Sequence, residues 1–319
     1  MGPAGRYVPG MHPFRFAVQT STAADGKAWR DRARKCEDLG FSTMYIPDHF
    51  GDQWGPIVAL TVAAEATTKL NVGALVFDND YRHPVVLAKE MATLDLVSEG
   101  RTELGIGAGW MKTDYEESGM PYDRPGVRIE RMVEGLAIMK ALWSDGKADF
   151  TGKHYTITGA QGVPLPHRRP HMPILIGGGG KKVLSIAARE ADIVGVNPQL
   201  TAGAVGPEAI ASAQADKYQE RLGWIKEAAG DRFDQLELQC LTFLVQVVAN
   251  RAEVLEQMSP MFGLTPEQAA TMPIALVGSA EEIAADLRQR REQLGLSYIV
   301  IHEGEMDAFA PVVSELAGT

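Results

Sequence analysis

The chain has little that would tie it to a metal, a membrane or a nucleic acid. Of its 319 residues only two are cysteines, Cys36 and Cys240, in unrelated contexts. They form no CxxC pair, so neither a zinc site nor a disulfide framework is expected, and a reducing, cytoplasmic setting fits. No stretch approaches the ~18 consecutive apolar residues of a membrane span. The opening residues, MGPAGRYVPGMHPF, hold no apolar core of signal-peptide length, and residues 1–13 read as a disordered tail. Lysine and arginine total 31 against 41 acidic residues, a formal net charge of −10, and they form no long block. Nucleic acid is therefore not an expected partner. No HExxH, P-loop or GxSxG occurs, so no metal site and no nucleophile elbow is expected.

What remains is an ordinary soluble composition, 45% hydrophobic and 23% charged. Short β-rich runs alternate with helical periodicity. FRFAVQT, from Phe14 to Thr20, precedes a helical face of Trp29, Ala33, Cys36 and Leu39. TMYIP, LNVGALVF and TELGIGAG follow as strands. Between the last two lies a helix with Leu87, Met91, Leu94 and Val97 on its buried face. A longer helix carries Ile129, Met132, Leu136, Met139 and Leu142. Residues 145–172 break the rhythm and read as an insertion, with a hairpin around FTGKHYTI. Strands ILIGG and DIVGVN resume it, and residues 199–232 are mostly helical. LELQCLTFLVQVVA is a long strand expected to bend or extend past the sheet. Short helices over 251–272, then IALVGS and YIVIHE, close the alternation. These nine β-rich runs are read into a barrel of eight strands, each followed by helical sequence. Continuous apolar strands indicate a parallel sheet covered on both faces. The fold class expected is α/β, a (β/α)8 TIM barrel with insertions, over residues 14–319 as one domain. An open doubly wound sheet is the competing architecture.

A barrel of this kind places its chemistry in the loops after the strands. The second such loop reads IPDHFGDQWGP. His49 is the natural proton donor or acceptor there, because imidazole titrates near working pH. Asp48 either orients His49 or caps the following turn, and His49 could instead be a loop histidine satisfied by backbone. Trp54 is either a lid over a flat ligand or ordinary packing. The Asp-Asn-Asp run at 78–80 most simply shapes a turn; Arg82 and His83 reach the cavity or serve the helix start. GIGAGW, Gly105 to Trp110, either lets a flat group approach Gly107, Ala108 and Gly109 or makes a tight turn. Gly177, Gly178, Gly179 and Gly180 lead from an apolar strand into a helix beginning at Lys181 and Lys182. Backbone N–H groups there would suit a phosphate. PHRRPH, His167 to His171, is a solvated loop or an attraction for an anionic ligand tail.

Four segments together carry a resemblance: LGFSTMYIPDHF, YRHPVVLAKEMATLDLVSEGRTELGIGAGW, RPGVRIERMVEGLAIMKALW and ILIGGGGKKVLSIAAREADIVGVN. Over about residues 14–317 the chain resembles the bacterial luciferase-like family of flavin and deazaflavin enzymes. Its branch is similar to the actinobacterial enzymes that use coenzyme F420. The resemblance implies a barrel with insertions, a homodimer and a small-molecule substrate. It implies that His49, with Asp48 beside it, works in proton transfer next to the reactive ring. It implies that Gly177 to Gly180 hold the cofactor phosphate, with Lys181 adjacent. A non-proline cis peptide after the third strand, by position Ala74–Leu75, would support the ring. Sugar-phosphate dehydrogenases of the family carry Glu directly after the GxG of the fourth strand, where this chain has Trp110. A more apolar pocket, with Trp54 and Trp110 in it, is expected instead. The activity implied is hydride transfer between F420 and an organic substrate, since a deazaflavin lacks the ring nitrogen through which flavins activate oxygen. The alternatives are an FMN-dependent monooxygenase and a non-catalytic flavin-binding barrel.

Overall fold

The computed structural model describes residues 12–200 and 207–319. Residues 1–11 of the expected tail, and 201–206 within the segment read as mostly helical, lie outside the described residues. In chain order the strands are β1 (Arg15–Gln19), β2 (Thr43–Ile46), β3 (Asn71–Ala74), β4 (Phe77–Asp78), β5 (Thr102–Gly107), β6 (Lys147–Thr151), β7 (Thr156–Gln161), β8 (Ile174–Gly178), β9 (Ile193–Val196), β10 (Glu237–Leu241), β11 (Leu244–Val247), β12 (Ala275–Gly278) and β13 (Leu296–His302). The helices are α1 (Gly26–Asp38), α2 (Pro56–Ala66), α3 (Pro84–Val97), α4 (Lys112–Ser118), α5 (Pro125–Ser144), α6 (Lys181–Glu190), α7 (Pro207–Ser212), α8 (Ala215–Ala229), α9 (Arg251–Met258), α10 (Pro266–Thr271), α11 (Ala280–Leu294) and α12 (Met306–Leu316). Among the described residues no helix is long and apolar enough to cross a membrane.

The chain divides into two compact units. The first comprises Thr20–Glu37 and Thr43–Ile176. In it β2 pairs in parallel with β3, β3 with β5, and β5 with β4 and with the first residues of β8. β2 and β5 are buried along their whole lengths, as parallel strands covered on both faces must be. The buried Glu103 on β5 accepts hydrogen bonds from the hydroxyls of Tyr45 and Thr43, which is how a carboxylate survives there. The periodicity of α1 and α5 places their apolar stripes inside, Trp29, Ala33 and Cys36 on one and Ile129 to Leu142 on the other.

On α3 the expected face holds for Leu87, Met91 and Leu94 but not for Val97, which is 41% exposed. Asp95 is buried in the last turn instead, because its carboxylate accepts the Arg168 backbone N–H at 2.8 Å. That contact also seats the basic loop 167–171 against the helix end. The expected hairpin is β6–β7, antiparallel, with Lys147 opposite Gln161. Its tip is pinned to α5, where the Glu134 carboxylate takes the N–H groups of Lys153, His154 and Tyr155 at 2.7, 2.9 and 3.1 Å.

The second unit comprises the described residues up to Gln19, Asp38–Ser42 and Gly177–Thr319. Here β1 and β10 flank β13, and β9 pairs with β10, all in parallel. The long run LELQCLTFLVQVVA is two strands. Thr242 spends both its N–H and its hydroxyl on the Val300 carbonyl, and the Phe243 N–H turns to Ile274. The chain then leaves β10 and β11 pairs with β12 in a separate two-stranded parallel sheet. IALVGS, which reads as one more strand of the alternation, is therefore β12 and does not join β10.

Candidate active site

His49 lies three residues beyond the end of β2, in a loop that leaves its ring partly exposed. Its Nδ1 stands 2.6 Å from Oδ2 of Asp114, a buried acid in the first turn of α4. The same carboxylate accepts the Tyr81 hydroxyl at 3.0 Å. A carboxylate held this way fixes one imidazole tautomer, with the proton on Nδ1, and leaves Nε2 to take up or release a proton. The Trp110 indole meets the imidazole edge to face at 5.6 Å, and its carbonyl is held by the Tyr122 hydroxyl at 2.9 Å.

Asp48 does not orient His49. Its two oxygens face the Arg82 guanidinium in a bidentate pair, and Oδ2 also accepts the Asp78 N–H at 3.1 Å. The fork geometry explains the choice: guanidinium matches both carboxylate oxygens at once, whereas His49 points the other way to Asp114. Asp48 thus ties the second loop to the third. His83 serves the helix start, its Nδ1 accepting the Val85 N–H at 3.3 Å.

Asp78 is buried beneath this cluster. It caps the turn at Asn79–Tyr81 by accepting the Asp80 N–H at 2.9 Å and takes the Tyr115 hydroxyl at 2.8 Å. Burial pushes its carboxyl up to about 7; the Asp80 and Asp48 charges push the same way, and the two hydrogen bonds oppose them. Burial likewise pushes the Tyr81 and Tyr115 phenols up, so both remain proton donors to the carboxylates beside them.

The non-proline cis peptide after the third strand is Leu75–Val76, one residue beyond the expected Ala74–Leu75. The Leu75 N–H still donates to Ile46 at 2.9 Å, so the ladder with β2 runs through Leu75 before the chain departs from it. The glycines of β5 accommodate this bulge. A Cβ on Gly105 would lie 2.0 Å from the Ala74 carbonyl oxygen, and one on Gly107 would lie 2.7 Å from Val76. Gly109, at φ +72°, would crowd Tyr115 and Asp78. The space at these glycines is filled by the protein itself, and Arg128 braces the turn by donating to the carbonyls of Ala108 and Gly109. Trp54 lies against Trp29, ring centroids 5.1 Å apart, which is core packing.

In the second unit the glycine run passes from β8 into α6. Gly180 is the N-cap and supplies no side-chain cap, so the first-turn N–H groups of this ten-residue helix carry no side-chain partner from it. A Cβ on Gly180 would meet nothing within 4 Å, while one on Gly179 would strike the Pro198 carbonyl. The Gly179 carbonyl is fixed from behind by Arg221 Nε at 3.0 Å and Gln199 Nε2 at 3.3 Å. Lys181 turns to Glu227 at 3.1 Å.

The structure therefore brings His49, Trp110 and Asp114 together, and Asp48 with Arg82. The glycine run and Lys181 belong to the other unit. Sequence reading missed Asp114. Its signal is an acid in the first turn of a helix opening two residues after GIGAGW, beyond the glycine motif itself.

Parallel βα units with chemistry-bearing side chains in the loops after the strands define an α/β barrel enzyme fold. The coenzyme F420-dependent tetrahydromethanopterin reductase of Methanopyrus kandleri is similar in structure, with a TM-score of 0.75 over 96% of this chain and 99% of that one, at 18% identity. The fold is the closed (β/α)8 barrel. The family model for luciferase-like monooxygenases matches residues 10–293, and the chain belongs to that family. Among curated relatives, the 5,10-methylenetetrahydromethanopterin reductase of Archaeoglobus fulgidus is 33% identical over 162 residues, covering 50% of this chain and 46% of its own. The F420-dependent glucose-6-phosphate dehydrogenase of Amycolatopsis mediterranei is 27% identical over 168 residues, covering 50% of each. The chain thus spans about half the length of these two relatives.

Proposed function

We propose that the protein is an oxidoreductase that moves hydride between coenzyme F420 and a small organic substrate, with His49 handling the proton. The observation that carries this reading is the His49–Asp114 pair at the end of β2. It supplies an oriented imidazole in a loop where the fold keeps its chemistry. F420-dependent relatives on both the sequence and the structure side support the cofactor assignment.

Each unit, taken by itself, holds residues that suit part of such a cofactor. Gly177 to Gly180 and the uncapped first turn of α6 would hold its phosphate, with no Cβ in the way at Gly180. The bulge at Leu75 and Val76, packed on Gly105 and Gly107, would support a ring. When bound and reduced, a deazaflavin supplies a hydride as a two-electron donor. Asp114 holds the His49 tautomer, Tyr81 shares that carboxylate, and Trp110 packs edge to face against the imidazole. Trp110 stands where sugar-phosphate dehydrogenases of the family carry Glu, so the substrate pocket is read as apolar rather than sugar-phosphate-binding. A cytoplasmic location and a homodimer belong to the same proposal. The large apolar side chains left exposed on α2 and α3, Val58 at 73% and Val86 at 50%, support the dimer.

The test is single-turnover oxidation of reduced F420 by a panel of organic carbonyl and enone acceptors, for wild type and His49→Ala. The expected result is an acceptor-dependent rate that falls by about 10²-fold or more in the variant, with cofactor affinity changed little. An unchanged rate in His49→Ala would remove its role. The second reading, an FMN-dependent monooxygenase, is favoured by the description of the family itself and would use the same phosphate cradle.

A further inference from the structure

A second polar feature lies in the Gly177–Thr319 unit, beside Gly177 at the start of the glycine run. Gln239, on β10, is fully buried, yet neither its Nε2 nor its Oε1 has a hydrogen-bond partner among the described residues. Asn197, directly after β9, likewise has a buried Oδ1 without one. Strand register brings the two together. Gln239 stands opposite Gly195, and a Cβ on Gly195 would meet Gln239 Oε1 at 2.9 Å, the Gly177 Cα at 3.0 Å and Asn197 Nδ2 at 3.7 Å. Two glycines in neighbouring strands thus leave bare backbone where side chains would stand, and the glutamine amide lies over one of them.

Buried amide groups without partners are rare, because each forfeits its hydrogen bonds to water on folding. An apolar residue at position 239 would avoid that cost. The unmet inventory is specific: two N–H groups on Gln239 Nε2, and two acceptor atoms, Gln239 Oε1 and Asn197 Oδ1. Exchanging the two atoms of the Gln239 amide leaves it unchanged, since both are unpaired. A phosphate or carboxylate offers acceptors alone, and a ketone offers one acceptor. A primary carboxamide offers one carbonyl oxygen and two N–H groups, which answers Nε2, Oε1 and Oδ1 together.

We propose that Gln239 and Asn197 form a binding subsite for a neutral carboxamide-type group, one that carries C=O and N–H side by side, on a small-molecule ligand. The subsite stands on this unit alone and does not depend on the identity of the cofactor. Gly195 is part of it, as the residue that lets the glutamine amide lie flat.

Three probes of one shape test this on the cofactor-free full-length protein: acetamide, acetone and acetate. The side-chain amide resonances of Gln239 and Asn197 are followed by NMR during titration, with the Gln239 signals assigned by their loss in Gln239→Leu. The expected result is saturable shifts with acetamide and at least tenfold weaker effects with acetone and acetate. Gln239→Leu should lose acetamide binding at least tenfold while its melting temperature holds or rises, since the variant removes an unpaired amide. Equal response to the three probes, or no saturable response, would mean that the amides bind water only and would overturn the proposal. So would Gln239→Leu that binds acetamide as wild type does. The wild-type series decides the matter even if the variant folds poorly.

Discussion

Asp114 stands 2.6 Å from His49 Nδ1, and that contact sets its predicted consequence. Asp114→Asn keeps the shape but can present an N–H toward Nδ1, favouring the other tautomer. Turnover should fall by about 10²-fold with little change in cofactor affinity, read as a loss in kcat at constant Kd. Asp78 gives a prediction in stability. Its folded-state carboxyl is raised to about 7 from an ordinary value of 3.8, so between those values the folded chain holds a proton that the unfolded chain has released. Its contribution is fully present below about pH 4, is lost as pH rises toward 7, and changes no further above that. In Asp78→Asn, which retains an acceptor for Tyr115, the fall in melting temperature between pH 5 and pH 8 should be smaller than in wild type. A fall of the same size would show that Asp78 is ionised across that range. His49 was legible as a candidate from its position after a strand. Its partner was not, because Asp114 lies 65 residues away and only the packing of α4 brings it near.

At the level of elements, glycines separate packing from binding. Gly105→Ala places a methyl 2.0 Å from the Ala74 carbonyl oxygen, a backbone atom that cannot swing aside. The expected loss is about 1–3 kcal/mol, measured by urea unfolding, and near-neutrality would contradict the tight fit of β5 to the bulge. Gly180→Ser is the opposite case. Space there is open, and the backbone at φ −101° and ψ 153° suits an N-cap, so stability should hold or rise by a few tenths of a kcal/mol. The new hydroxyl would occupy N–H groups of the first turn, and cofactor affinity should drop. Elements themselves were read well where periodicity was long, as on α1 and α5. They were misread where a side chain spent itself on a distant backbone group. Thr242 ended β10 through Val300, and Asp95 displaced Val97 through Arg168. Such partners are invisible to a local pattern.

For the whole molecule, we propose a deazaflavin user within a family whose relatives include F420-dependent enzymes. Barrel architecture was legible because eight parallel βα units impose a rhythm on the chain. Cofactor choice was not, since a glycine run before a helix answers any phosphate. The proposed dimer, with α2 in its contact, predicts a two-chain mass by sedimentation that shifts toward monomer in Val58→Glu; an unchanged mass in that variant would contradict it. The most direct test is a fluorescence titration of the full-length protein with F420 and, separately, with FMN at the same moderate salt. The account predicts saturable, tight F420 binding and FMN binding at least tenfold weaker. Tighter binding of FMN would contradict it and move the protein to the flavin monooxygenases.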